Sequence, residues 1–168
     1  MGFICLVALS VSSCGYHVAG RGNALPQDWK SIAIPALLNR TSNYRIEQRL
    51  TQALVREMLA RTKYRIVPEA KDADAVLQGE VISIETNAVL FDPTTNRATT
   101  MLVSMSLKVR LTDRSSGKEV YGNDHFLFRD EYNISTDIPS FFQEESVTLD
   151  RMSRDFASTL VSAVLEKF

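Results

Sequence analysis

Cysteines, histidines and clustered acids are the side chains whose chemistry depends most on spacing, and this chain has few of them. Its two cysteines, Cys5 and Cys14, lie close together near the start, and its two histidines are His17 and His125. No His-x-x-x-His, Cys-x-x-Cys or acidic cluster offers metal-ligand spacing. His125 falls in a strand-like stretch with no partner and reads as a half-exposed strand residue. The three glycines of "GYHVAGRGN" precede no helix and follow no strand, so they fail the context of a phosphate loop. No Gly-x-Ser-x-Gly elbow occurs. Asp72 and Asp74 could bind a cation, but in a polar loop they read as solvated charges. A hydrolase needs a nucleophile with a nearby base, and none can be named. The expectation is a non-enzyme with no diffusible cofactor and no metal.

Cys14 is different, because its chemistry needs no second protein residue. Residues 2–11 are mostly apolar: too short to span a bilayer, which takes about 20 residues, but suited to the core of a signal peptide. "Val11-Ser12-Ser13-Cys14" resembles the bacterial lipobox, an aliphatic residue at −3 and small residues before an obligatory cysteine. That resemblance implies a covalent lipid on Cys14, a diacylglycerol thioether plus an N-acyl chain on the new amino terminus. One acyl chain holds a protein to a membrane only marginally, and two or more hold it stably. The alternative is a buried first strand or helix over residues 1–13 with Cys14 in a turn. The segment before the apolar run has no Lys or Arg, a departure from the signal-peptide pattern that leaves open whether the natural start is Met1 or lies upstream. Gly15 stands where an inner-membrane retention signal would have Asp, which implies the outer membrane of a Gram-negative bacterium, facing the periplasm. The organisation expected is a signal peptide over 1–13, a lipidated tether over 14–29 and a folded domain over 30–168.

The composition fits that picture. The chain has 168 residues, 45% hydrophobic and 23% charged, with a net charge of −1. That is one ordinary globular domain, large enough to bury roughly 70% of its unfolded surface without staples. The charge gives no general pull toward nucleic acid, so any anion recognition must be local.

The elements follow from periodicity. "SIAIPALL" reads as a short buried strand, with Pro35 at its end or on an edge. Ile46, Leu50, Ala53, Leu54 and Met58 recur at helical spacing, predicting a helix over about 43–61 with Thr41, Ser42 and Asn43 as candidate N-caps. "YRIVP" is a short strand and "EAKDADA" a polar loop. "VLQGEVISIETNAVLF" is a long strand in which Gly79 marks a bulge or a close backbone approach. "DPTTNRA" is a hairpin loop. In "TMLVSMSLKVRLT" the residues Met101, Val103, Met105, Leu107, Val109 and Leu111 face one way, the pattern of a half-buried antiparallel strand. "DRSSGK" is a turn, "EVYGNDHFLFR" a further strand and "DEYNISTDIP" a polar connection. The last element is a C-terminal helix with Ser140 and Gln143 as a capping box. The order β-α-β-β-β-β-α predicts an α+β two-layer sandwich: two amphipathic helices on one face of a mostly antiparallel or mixed sheet of four to five strands.

"CGYH", "IAIPALLNRTSNYRIEQRLTQALVREM", "ADAVLQGEVISI" and "VYGNDHFLFRDEY", in that order and spacing, resemble the LPS-assembly lipoprotein (LptE) family over nearly all of Cys14 to Phe168. The resemblance implies a non-catalytic outer-membrane lipoprotein seated in an LptD-like β-barrel. It would help that barrel assemble and help lipopolysaccharide reach the outer leaflet. It also implies that basic residues near the hairpin tip and the following strand meet the lipid's phosphates. The nearest matches are Arg97 at the tip and Arg129 at the end of "HFLFR", with Lys108 and Arg110, which share a face, as further candidates. Each also reads as an ordinary solvated charge. The strand, "N-x-T" turn, helix and "ADAVL-x-G" strand are similar, too, to periplasmic lipoproteins that regulate cell-wall synthases or build secretion-pore oligomers. The long hairpin strand and the terminal helix favour the first family.

Overall fold

The computed structural model describes residues 25–134 and 138–166, the second stretch with side chains from residue 144. Residues 1–13, Cys14 and most of the tether lie outside the described residues. The elements are β1 (Ser31–Ala33), β2 (Leu38–Asn39), α1 (Ile46–Arg61), β3 (Arg65–Val67), β4 (Ala75–Phe91), β5 (Ala98–Asp113), β6 (Glu119–Asn133) and α2 (Ile138–Glu166), with a 3-10 turn at Ala70–Asp72.

They form one six-stranded mixed sheet in the order β3-β1-β4-β5-β6, with β2 also beside β4. β1 runs parallel to β3 and β4, β2 runs parallel to β4, and β4, β5 and β6 form an antiparallel meander. The first apolar run makes two strands on the same side of β4. Ile32 pairs with Ala75, and Leu38 pairs with Glu80 further along. Pro35, which has no N–H to give a ladder, sits in the gap.

The core lies between one sheet face and the two helices. β5 buries Val103, Met105, Leu107, Val109 and Leu111, and β4 adds Ala75, Leu77 and Val81. Against them α1 buries Ile46, Leu50, Ala53, Leu54 and Met58, while α2 contributes Leu149, Met152, Phe156, Leu160 and Val164. The α+β sandwich predicted from the alternation of β5 and the stripes of the helices is the one observed. Gly79 is a close approach and not a bulge: a Cβ there would lie 2.9 Å from Leu37 Cγ and Cδ2. The register against β5 slips further along, between Val81 and Ser83, Ala88 and Leu90, and Leu90 and Phe91.

Four local expectations are corrected. Thr41, Ser42 and Asn43 do not cap α1; its N-cap is Arg45, left-handed at φ 61° and without a side-chain cap bond. Those side chains and their neighbours organise the preceding loop instead. Asn39 Oδ1 accepts from Thr41 N and Oγ1, Asn39 Nδ2 donates to Asn43 O and Glu47 Oε2, and Thr41 Oγ1 accepts from Asn43 N. Ser140 lies inside α2, which begins at Ile138, so it is not an N-cap. β6 continues through "DEYN" to Asn133, because Tyr132 pairs with Met101 and buries its ring. Finally, Leu25 and Trp29, assigned to the tether by sequence, are core residues at 2% and 5% exposure.

Asp74 serves structure. Its Oδ2 accepts from Lys30 N, Ser31 N and Ser31 Oγ at 2.8–2.9 Å, fastening β1 to the start of β4. These donors hold its carboxyl below the usual range, Lys30 N–H first among them.

Candidate functional site

β5 divides the sheet's two faces between odd and even residues, and among the described residues the even face carries no helix. Lys108 and Arg110 stand on that open face, near where Gln78 and Glu80 of β4 lie opposite them. They are already partnered across the β5–β6 hairpin. Lys108 Nζ is 3.3 Å from Asp124 Oδ1, Arg110 Nη2 is 3.0 Å from the same oxygen, and Arg110 Nη1 is 2.7 Å from Glu119 Oε2. The Arg110 hydrogen bond, then that of Lys108, holds the Asp124 carboxyl below its ordinary range. Gly122 makes room for this network. It pairs directly with Arg110, and a Cβ at 122 would collide with the Glu119 carboxylate.

Beside these cations a cleft of about 280 Å³ opens between Pro35, Ala36 and Leu38 on one side and Gln78, Glu80, Lys108 and Arg110 on the other. An anion reaching the cations there would compete with Asp124 and Glu119 for them. Neither acid was singled out in the sequence. Their signal is visible only once the hairpin register sets "GND" against "KVR".

Arg129 stands on the same open face opposite Ser104. That is four β5 residues from Lys108, or about 13 Å along the strand. Arg97 lies at the far end of the β4–β5 hairpin, about 20 Å beyond Ser104. The structure therefore brings Lys108 and Arg110 together and leaves Arg129 and Arg97 each apart. Among the described residues Arg97 and Arg129 form no ion pair, unlike Lys108 and Arg110.

The tip itself is a built loop. Asp92 N donates to Arg97 O (2.8 Å), Asn96 N donates to Asp92 O (2.9 Å), and Asn96 takes a left-handed φ of 52°. Asp92 Oδ1 accepts from Thr94 N, Thr95 N and Thr95 Oγ1, with Thr95 N–H the strongest influence lowering its carboxyl. The β5–β6 loop repeats this plan. Asp113 N donates to Lys118 O and Gly117 N to Asp113 O, Gly117 is left-handed, and Asp113 Oδ1 accepts from Ser115 and Ser116. "DPTTNR" and "DRSSGK" are thus the same loop at opposite ends of β5.

What distinguishes the tip is its flank. Val89, Leu90 and Phe91 are 39%, 58% and 54% exposed. The hydrogen-bonded loop here joins Arg97, which forms no ion pair among the described residues, to a strand end with three exposed apolar side chains. The chain enters the fold at the other end of the sheet. Trp29 Nε1 donates to Asp113 Oδ2 at 2.8 Å, and β5 spans about 50 Å between that point and the tip.

Among the described residues no group of three or more potential ligands could hold a metal ion, and no helix is long and apolar enough to cross a membrane. Residues 29–164 match the model of the family "LptE: Lipopolysaccharide-assembly". The rare lipoprotein B of Shewanella oneidensis has a similar structure, with a TM-score of 0.58 at 15% identity, covering 80% of this chain and 95% of that one. An uncharacterised lipoprotein B of Nitrosomonas europaea gives a TM-score of 0.57 at 14% identity, covering 98% and 91%. A minor lipoprotein of Acinetobacter baumannii gives 0.50 at 13% identity, covering 84% and 95%. At these identities the three structures speak to the fold. A search of curated protein sequences finds no match.

Proposed function

The chain belongs to the lipopolysaccharide-assembly (LptE) family, and from that premise we propose that it is an outer-membrane lipoprotein that pairs with an LptD-like β-barrel. Lipid on Cys14 anchors it to the periplasmic side. It supports assembly of the barrel and delivery of lipopolysaccharide to the outer leaflet, without catalysis. The observation that carries this reading is the hairpin tip, where Arg97 stands beside exposed Val89, Leu90 and Phe91. A guanidinium fork suits a phosphate, and the apolar flank suits the acyl region next to it. The distance between the tip and the Trp29 end suits a protein held at one end and working at the other.

The test is capture of the Cys14-anchored protein from membranes. A one-to-one complex with a large β-barrel protein is expected, together with loss of surface lipopolysaccharide on depletion. Recovery of a ring-shaped oligomer of this chain with no barrel would sink the proposal and favour a secretion-pore role. Cys14→Ala should leave the domain folded. If that variant still fractionated with the outer membrane in the absence of any partner, the anchor would be misassigned.

A further inference from the structure

β4 is paired on both sides only over its first half. β2 ends at Asn39, opposite Val81, and Arg40 N donates to Val81 O as the last bond on that side. Among the described residues only β5 pairs with the strand from Ser83 to Phe91. Its other side is an open sheet edge of nine residues, and residues 85–91 are all exposed.

The protein treats its other edges differently. β3 is only three residues long. β6 is long, but side chains block its backbone: His125 N donates to Asn123 Oδ1, Glu131 N donates to Asp130 Oδ1, and Arg151 of α2 donates to Glu131 O. Short length and capped backbone groups are standard protections against unwanted strand pairing. Among the described residues the edge at 83–91 has neither, although its pairing with β5 slips at Ala88/Leu90 and Leu90/Phe91 and Glu85 stands near its start. It has no Lys, no Pro and no capping side chain, and "TNAVLF" (86–91) is uncharged and apart from Asn87 and Ala88 rich in strand formers.

A second feature lies alongside. A cleft of about 410 Å³ runs next to this edge, lined by Ile84 and Thr86 of β4, the loop residues Thr41–Tyr44, and Glu145 and Ser146 of α2. Arg49 also lines it, but its guanidinium is engaged by Ser146 and Asp150. In strand addition, backbone bonds supply affinity and pockets for alternate side chains supply selectivity. Here the pocket is polar and includes an acid.

Charge selects the occupant. The uncharged run is bounded by Glu85 and Asp92, and Glu145 lies in the cleft. Glu85, Asp92 and Glu145 give the edge and its cleft an acidic border, which favours a basic segment over an acidic one. We propose that the β4 edge over residues 83–91 accepts an extended segment of a partner protein. That segment carries Lys or Arg at its ends and a polar or basic side chain toward the Thr41–Glu145 cleft. The edge uses backbone groups and shares the side chains of Val89, Leu90 and Phe91 with the flank of the tip, so the test reads peptide binding in the absence of lipid.

The test uses the purified full chain and two synthetic probes, Lys-Thr-Val-Thr-Val-Thr-Val-Lys and the same peptide with Glu at both ends. Binding is followed by fluorescence anisotropy and by amide hydrogen exchange. The Lys-ended peptide is expected to bind at least tenfold more tightly and to slow exchange at 83–91 but not at 119–131. Leu90→Lys, at an exposed position, should weaken it at least tenfold with an unchanged circular dichroism spectrum, and the comparison of the two peptides needs no variant. Equal affinity for both peptides, no binding, or protection on β6 would overturn the proposal. So would protection of 83–91 without peptide when sedimentation shows a dimer. None of these readouts depends on a barrel partner or on lipopolysaccharide.

Discussion

The indole of Trp29 donates a hydrogen bond of 2.8 Å to Asp113 Oδ2, joining the point where the chain enters the fold to the loop between β5 and β6. Asp113 also accepts from Ser115 Oγ, Ser116 N and Ser116 Oγ, and these donors together hold its carboxyl far below the usual range, Ser115 foremost. A carboxylate depressed in the folded state stabilises the fold fully above its unfolded value of about 3.9, and that stabilisation fades as pH falls through the folded value. Asp113→Asn is therefore expected to lower the melting temperature by a few degrees at neutral pH. It should also flatten the acid-side loss of stability below about pH 4. A melting series from pH 7 downward checks it; identical acid limbs for the variant and the parent would contradict the assignment.

Gly79 and Leu37 make a second prediction. A methyl at 79 would meet Leu37 Cγ and Cδ2 at 2.9 Å and Val109 Cγ1 at 3.6 Å. Leu37 cannot easily retreat, because its N–H donates to Thr51 Oγ1 of α1 at 3.0 Å. Gly79→Ala is expected to cost about 1–3 kcal/mol by overpacking, even though Ala is otherwise the better strand residue. Leu37→Ala alone is expected to cost about 2–5 kcal/mol by leaving a cavity. The double variant should be more stable than the sum of the two predicts, because each change relieves the other. Urea midpoints of the four proteins provide the cycle.

How much of this was legible beforehand depends on the range of the interaction. β5 was readable because its alternation from Met101 to Leu111 is a local pattern that burial enforces. Both helices were readable from their stripes. The start of α1 was not, because Asn39 bonds Thr41, Asn43 and Glu47 and removes the nominal caps from use. Leu25 and Trp29 looked like tether because their neighbours are polar, and only the fold reveals the space they fill. The shared face of Lys108 and Arg110 was legible from strand alternation, but their acidic partners were not. Lys108 and Arg110 owe their partners, Asp124 and Glu119, to a hairpin register that slips between Leu107 and Val109.

Phe156 anchors α2 to the sheet. Its ring meets Phe126 edge-on at 5.9 Å and Phe128 at 5.8 Å, while Phe126 and Phe128 stack at 5.3 Å. It is fully buried. Phe156→Ala is expected to cost about 3–5 kcal/mol, and Phe156→Leu less, since volume is largely kept. Phe128→Ala should weaken the effect of Phe156→Ala in a double-mutant cycle by about 0.5–1.5 kcal/mol, the part owed to ring geometry. Denaturant unfolding measures all three.

The four basic candidates should separate in a lipopolysaccharide-binding assay. Lys108 and Arg110 are held by Asp124 and Glu119, so a phosphate would meet the repulsion of two nearby carboxylates there. Arg97 has no ion-pair partner among the described residues and lies next to exposed Leu90 and Phe91. Phosphate binding there breaks no ion pair, and the exposed apolar residues of the flank offer surface to acyl chains. Arg97→Glu is therefore expected to weaken binding to purified lipopolysaccharide about tenfold, and Leu90→Ser to weaken it several-fold without altering the fold. Arg110→Glu should change binding little while repelling Asp124 and Glu119, which appears as a small loss of stability. Arg129→Glu should fall between them, since Arg129 is free but sits on the open face away from the apolar tip. The dependence on salt should be shallower for Arg97→Glu than for the parent, because one fewer cation meets the phosphates. If instead Arg97→Glu bound like the parent while Lys108→Glu and Arg110→Glu lost binding, the lipid's phosphates would belong to the cleft beside Pro35 and Leu38, and the tip would have another role.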